Sequence, residues 1–317
     1  MRAGLVRIGE TSFKDNRADP IVGAVVPGLG PRVRGRQRIV ELLCCVLAGL
    51  PQRLPSGLRP GSVPLLFCTR EVDCPGADLG GVLAEAEARL NLGLRVADAS
   101  EFADGTVAAF KAMAHARRLF TRGAAQAALI VAVDSLMDTR TLHWLDEHKR
   151  LKKDENPDGV IPGEAACVTL VTSCPLFSAA PCVAGLGFGH ETATVLNEEP
   201  LLGKGMAGAV RDALAEAGLR MHEVAFRLSD VAGESYGFEE LALAQIRNTT
   251  IPRSSQSLLH PASSIGDCGA ANGLLQLAWA EQAMRRRYAR GPVALAHASA
   301  HTGSRAAAVL LDPQWRP

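Results

Sequence analysis

Aromatic side chains make up only 4% of the 317 residues, and 34 Lys and Arg are balanced by 33 Asp and Glu. A charge so evenly matched gives no field of one sign, so no nucleic-acid partner is expected. No apolar run reaches the ~18 residues of a membrane span. The longest, Ile39 to Leu50, is interrupted by Glu41 and closed by Pro51, so no membrane association is expected. Acids and bases within the first 20 residues leave no secretory leader pattern. The eight cysteines also lack a pattern. Cys44 beside Cys45, Cys68 with Cys74, and Cys167 with Cys174 and Cys182 miss the paired spacing of a zinc site. Reduced thiols in a cytoplasmic protein are the expectation, with no metal and no cofactor.

What is present is a folded chain, with 47% hydrophobic and 21% charged residues. Its length corresponds to roughly two units of ~150 residues. Short apolar runs alternate with helical patterns, which predicts an α/β architecture. Val63 to Cys68, Ala127 to Val133, Cys167 to Thr172, Val224 to Leu228, Val293 to His297 and Ala306 to Leu311 read as strands. Most are apolar on both faces, as in sheets covered on both sides. Val107 to Phe120, Gly208 to Ala217 and Gly273 to Met284 read as helices, the first and last deeply buried. A Pro-containing stretch, Pro175 to Pro181, divides the chain into halves of similar architecture, residues 1–176 and 177–317.

Two short motifs suggest chemistry. Gly203, Gly205 and Gly208 spell GxGxxG, but a loop precedes them where a dinucleotide fingerprint needs a strand. Gly233, Ser235 and Gly237 spell GxSxG between a strand and a helix, the layout of a nucleophile elbow. Asp267 and then His297 or His301 follow in the order of a serine hydrolase triad. The basic clusters Arg32, Arg34, Arg36, Arg38 and Arg285 to Arg287 read as solvated faces.

From about residue 100 onward, five stretches in order resemble the thiolase-fold β-ketoacyl synthases (3-oxoacyl-ACP synthases). Val107 to Ser135 is similar to their nucleophile helix and following strand. Asn156 to Leu170, with Pro162, Gly163 and Glu164, resembles the segment leading into a buried strand. Gly205 to Leu219 and Glu223 to Glu240, including Gly233, resemble the region of the first catalytic histidine. Ser264 to Gly273, with Gly266, is similar to the loop bearing the second, and Ala298 to Leu311, with Gly303, resembles the last turn and strand. The resemblance implies a five-layered α-β-α-β-α fold of two similar halves, and a homodimer pairing through about Leu94 to Ala99.

That family attacks an acyl thioester with a cysteine at a helix start, and two histidines stabilise the enolate. Carried over, the cysteine position falls on Thr106 and the histidines on Ser229 and Asp267. No cysteine lies between Ala97 and Arg122. A carboxylate would repel a developing enolate. Cys268, beside Asp267, is the one candidate for a relocated thiol.

The resemblance therefore implies a bacterial, degenerate member acting through a protein partner: an active synthase, an acyl carrier protein, or an effector of a secretion cluster that it accompanies. The alternatives are an acyltransferase or acyl-binding protein with a replaced catalytic group, and a hydrolase using Ser235.

Overall fold

The computed structural model describes residues 4–174, 180–251 and 256–315. A hairpin, β1 (Ile8–Lys14) and β2 (Pro20–Ala24), precedes the first layer of helices. There follow α1 (Gly35–Leu47), α2 (Leu50–Arg53), β3 (Leu65–Thr69), α3 (Val82–Leu90) and β4 (Ser100–Ala103). Then come α4 (Ala108–Thr121), β5 (Ala127–Ser135), α5 (Thr139–Glu147) and β6 (Glu164–Thr172). The remainder comprises β7 (Cys182–His190), α6 (Lys204–Glu216), β8 (Phe226–Ser229), α7 (Ser235–Asn248) and β9 (Ser257–Leu259). It closes with α8 (Ala262–Ile265), α9 (Asn272–Arg285), β10 (Val293–Ser299) and β11 (Ser304–Leu311).

The first sheet has the order β4-β3-β5-β6, parallel except for β6. The second repeats it as β9-β8-β10-β11, again with the last strand antiparallel, and adds β7 outside β11. The boundary at residues 176 and 177 lies outside the described residues.

The alternation of side chains along a strand explains the layers. In β5, Ala128, Ile130 and Ala132 face a central core that contains α4, α9 and strands of both sheets. Leu129, Val131 and Val133 face the opposite way, against α1 and α3. Beyond the second sheet, α6 and α7 cover Val293, Leu295, Ala307 and Val309. The sequence is α-β-α-β-α, with the two buried helices side by side in the middle. Small residues permit this closeness. A Cβ at Gly273 of α9 would lie 2.8 Å from both the Thr106 carbonyl oxygen and the Ala109 Cβ. On β7, Gly187 lies so near α6 that a Cβ would come within 1.9 Å of the Ala209 carbonyl oxygen.

Three details depart from the sequence reading. Residues 94–99 form no strand: Val96–Asp98 is a 3-10 turn, and the edge strand begins at Ser100. The backbone N–H groups of Gly93 and Leu94 donate to Glu87 Oε1 at 2.6 and 3.2 Å, which removes them from any ladder. Arg38 is not on a solvated face; it is buried and pairs with Glu164. The helix expected from Gly208 starts four residues earlier, at Lys204. Among the described residues, no helix is long and apolar enough to cross a membrane.

Candidate functional site

Two cavities of about 50 and 70 Å³ share a wall made of Thr106, Asp267, Ser299 and His301. They lie where the starts of α4 and α9 meet the carboxyl ends of the parallel strands, the usual place for a ligand crevice in such sheets. Each strand end delivers polar groups: Glu71 and Cys74 after β3, Asp134 from β5, Asp230 after β8, Ser299 from the end of β10 and His301 just after it. Space for them comes from two glycines at the helix starts. Gly105 (φ +59°) and Gly269 (φ +50°) adopt left-handed conformations, and a Cβ at either would sit 2.2 Å from a carboxylate oxygen, of Glu71 and Asp134 respectively.

The carboxyl groups differ in how far they are compensated. Asp134 Oδ1 pairs with Arg70 at 2.6 Å, and its Oδ2 accepts from Ala270 N at 3.1 Å. Asp267 Oδ1 accepts from Gly269 N at 2.9 Å and from Asn272 Nδ2 at 2.8 Å, tying the turn that leads into α9. Burial nevertheless pushes it up to about 6, against the pull of the Gly269 bond and Arg150. Asp230 Oδ2 accepts from Ser299 N at 2.7 Å, yet burial, helped by the charge of Asp267, takes it up to about 7. Burial raises Glu71 as well. A protonated carboxyl can donate a hydrogen bond, so repulsion of an enolate applies to the ionised fraction of Asp230 and Asp267.

The thiol and imidazole of the cavity are held in their neutral forms. Arg150 NH1 lies 3.1 Å from His301 Nε2, while its Nε and NH2 bind Glu234 at 2.7 and 2.6 Å. A guanidinium only donates, so Nε2 accepts and the ring proton sits on Nδ1, directed at Cys74 Sγ 3.5 Å away. Burial, followed by the charges of Arg150 and Arg305, pushes His301 down to about 3. Cys74 directs its thiol at Glu71 Oε2, 3.6 Å away, and burial with the Glu71 charge drives it far above the ordinary thiol range. With its lone pair on the wrong nitrogen, the imidazole does not take the thiol proton.

Of the sequence candidates, Thr106 and Asp267 meet in the cavity wall and Ser229 does not. Ser229 is fully buried, its hydroxyl accepting from Val231 N at 3.2 Å, and the next residue, Asp230, faces the cavity. Strand β8 runs one residue further than expected, which shifts the position. Cys268 is also fully buried. Its thiol points at the carbonyls of Ile265 and Gly266, both at 3.6 Å, and burial raises it well above an ordinary thiol. It lines neither cavity, so it is no relocated nucleophile.

Ser235 is the exposed first residue of α7, and its hydroxyl donates to Asp158 Oδ1 at 2.9 Å. Asp267 and His301 share a cavity wall, but Ser235 lines neither cavity. His297 is buried in β10, pushed down to about 3 by burial and Arg227, and also lines neither cavity. The hydrolase triad is not assembled.

The remaining motif residues build the frame. Gly163 N donates to the Asp267 carbonyl oxygen and Asp267 N to that of Ile161, both at 2.7 Å, so Pro162, Gly163 and Gly266 lie backbone to backbone. Gly233 lies against the Gly159 carbonyl oxygen and Gly303 against that of Glu191. Glu164 and Glu240 are fully or nearly fully buried partners of Arg38 and Arg305. Gly203 takes a left-handed conformation before α6, and Gly205 N donates to Glu191 Oε2 at 2.9 Å; no strand leads into the motif. Glu71, Cys74, Asp134 and Arg150 were not singled out from sequence. The first three follow or end apolar strands, a signal that could have flagged them; Arg150 carried none.

No protein-family model matches the sequence, and no curated protein does. Solved structures do match. A ketosynthase in complex with its chain length factor from Xenorhabdus doucetiae gives a TM-score of 0.71 at 14% identity, over 96% of this chain and 90% of that one. A ketosynthase structure in complex with a type II polyketide synthase acyl-carrier protein gives 0.74 at 11% identity, over 97% and 92%. A β-ketoacyl synthase from Burkholderia phymatum gives 0.69 at 15% identity, over 98% and 93%. The chain has the thiolase-like fold of the ketosynthases. At these identities the likeness concerns the fold, and the chemistry must be argued from the cavity.

Proposed function

We propose that this chain is a catalytically degenerate β-ketoacyl-synthase-like protein that acts by binding a protein partner, with an active synthase of the same fold as the first candidate. The observation that carries the reading is the start of α4. In this reading threonine stands there in place of the resembled family's cysteine, Ser229 and Asp267 fall on the positions of its two histidines, and the groups that reach the cavities are Asp267 and Asp230, the residue after Ser229. The one thiol lining these cavities, Cys74, lies in the loop after β3 and is held protonated. The two cavities, at about 50 and 70 Å³, have room for a few waters each.

In this proposal residues 1–176 and 177–317 are the two halves, and the edge strand β4 pairs with a second chain of the same fold, either another copy or the synthase. Complexes of a ketosynthase with a chain length factor, among the structural neighbours, support such pairing. Capture of the full chain from native lysate, followed by reconstitution with the purified partner, tests it. The expected result is a stoichiometric complex with a synthase-fold protein that is lost when Glu101 and Phe102 of β4 are replaced by proline. A chain that remains monomeric and captures no such protein contradicts it.

A second reading rests on Asp230. A carboxyl near 7 in the same cavity as Thr106 is tuned for general-base work at neutral pH, and would make Thr106 an acyl acceptor. It predicts a covalent acyl adduct at Thr106 that is abolished in Asp230→Asn.

A further inference from the structure

We propose that Glu71, Cys74 and His301 form a binding site for one zinc-class divalent cation, with a fourth coordination position open to the cavity. The inference stands apart from the partner reading, because these donors would bind a cation whether or not the chain condenses acyl groups. It also runs against the expectation of a metal-free protein drawn from cysteine spacing. The donors come from distant parts of the chain, Cys74 and His301 being 227 residues apart, so no spacing motif could reveal them.

Thiolate, imidazole and carboxylate are the ligand types of zinc sites, and three protein ligands plus an open position is the arrangement that leaves room for water. The distances fit. Zn–S of ~2.3 Å and Zn–N or Zn–O of ~2.0–2.1 Å at a tetrahedral angle place sulfur about 3.5 Å from each lighter donor. Cys74 Sγ lies 3.5 Å from His301 Nδ1 and 3.6 Å from Glu71 Oε2, and donor atoms of all three residues lie within 4.8 Å of one another. One carboxylate and one thiolate neutralise a doubly charged ion.

The surroundings already hold the ligands. His301 N donates to Glu71 Oε1 at 3.1 Å, and Oε2, at which the Cys74 thiol points, becomes available to the ion once that thiol is deprotonated. Trp144 stacks on the His301 ring, with centroids 5.8 Å apart, and fixes its plane. Asp134, paired with Arg70, and Asp267 line the same cavity.

Binding releases the Cys74 thiol proton to solvent and moves the imidazole proton from Nδ1 to Nε2. Arg150 NH1 then faces an N–H instead of a lone pair and loses its bond, although Nε and NH2 still hold Glu234. Arg150 is therefore a competitor of the cation, a role that a merely structural arginine would not have.

The test uses the full chain, stripped with a chelator and titrated with Co²⁺ as the spectroscopic probe. One equivalent should bind, with a sulfur-to-cobalt charge-transfer band in the near ultraviolet that Zn²⁺ abolishes by displacement. Cys74→Ser should remove the band, and Glu71→Gln and His301→Gln should each weaken Co²⁺ binding roughly tenfold to a hundredfold or more. Arg150→Gln, whose amide oxygen can accept from Nε2–H, should tighten it. Cys268→Ser should leave the spectrum unchanged. Absence of stoichiometric uptake by the wild-type chain, a band that survives Cys74→Ser, or a band lost in Cys268→Ser overturns the proposal. If Cys74→Ser does not fold, protection of Cys74 from iodoacetamide by one equivalent of Zn²⁺ replaces it, and full alkylation of Cys74 contradicts the site.

Discussion

The same clamp is built once beside each of the two larger sheets, with its charges exchanged. At the start of β6, Glu164 accepts from Arg38 of α1 through two bonds of 2.5 Å and from Ser135 Oγ at 2.9 Å. At the start of β11, Arg305 donates to Glu240 of α7 at 2.6 Å, and Glu240 accepts from Ser299 Oγ at 2.5 Å. Ser135 stands opposite Glu164 in the β5–β6 ladder, and Ser299 stands opposite Arg305 in the β10–β11 ladder. One position of the sheet pattern thus carries an acid in the first sheet and a base in the second. Between the clamps, the carboxyl groups of Glu71, Asp230 and Asp267 have no such full compensation, and burial raises all three.

Breaking a clamp should have the largest effect. Arg305→Met or Arg38→Met leaves a buried carboxylate alone and should cost about 3–5 kcal/mol in urea unfolding. The Arg305 loss should be the greater, since its side chain is 1% exposed against 6% for Arg38. Exchanging the charges, Arg38→Glu with Glu164→Arg, would give the first clamp the sense of the second. It should be more stable than either single variant. If it is not, the carbonyls of Val33 and Gly30 that also receive Arg38 fix the sense of the pair.

The cavity carboxyls should show the opposite behaviour. Because Asp230 titrates near 7 when folded, the native state keeps a proton that the unfolded chain loses near 4. Its contribution is complete below about pH 4 and is lost as pH rises through about 7. Asp230→Asn should therefore stabilise the protein by about 2–4 kcal/mol at pH 8 and flatten the decline between pH 5 and 8. A loss of stability at pH 8 would show that ionised Asp230 is compensated after all.

A smaller effect of reversed sign belongs to His297, pushed down to about 3. The unfolded chain takes up a proton that the folded state refuses, so stability falls as pH drops from about 6.5 towards 3. Replacement by Gln should recover about 1–2 kcal/mol at pH 5 relative to wild type, once the two are matched at pH 8. Smallest of all, Ser235→Ala should change stability by about 1 kcal/mol or less, because only an exposed bond to Asp158 is lost. A fluorophosphonate probe should leave Ser235 unlabelled; stoichiometric labelling would restore the hydrolase.

Local pattern made the α/β class and the deep burial of two helices legible, through the unbroken apolar run of β5 and the small-residue stripes of α4 and α9. The five-layered arrangement was implied by the resemblance of segments in order, not by local pattern. The cavity was legible where it lies on those elements, as at Thr106 and Asp267. It was missed where a loop delivers the residue: Glu71 and Cys74 come after the apolar strand β3, and Arg150 reaches the site through tertiary geometry alone. The single-residue difference between Ser229 and Asp230 has a similar origin, since a strand end fixes which side chain turns inward and sequence places that end only within a residue or two.

In the proposed reading the chain carries out no condensation. Intact-protein mass spectrometry after incubation with acyl and malonyl thioesters, with and without Thr106→Cys, tests it most directly. An unmodified wild-type mass and no decarboxylation in either protein are expected, because Asp230 and Asp267 supply no imidazole pair. A stoichiometric acyl adduct on the wild-type chain would contradict it, and peptide mapping to Thr106 or Cys74 would identify the group that replaced the cysteine.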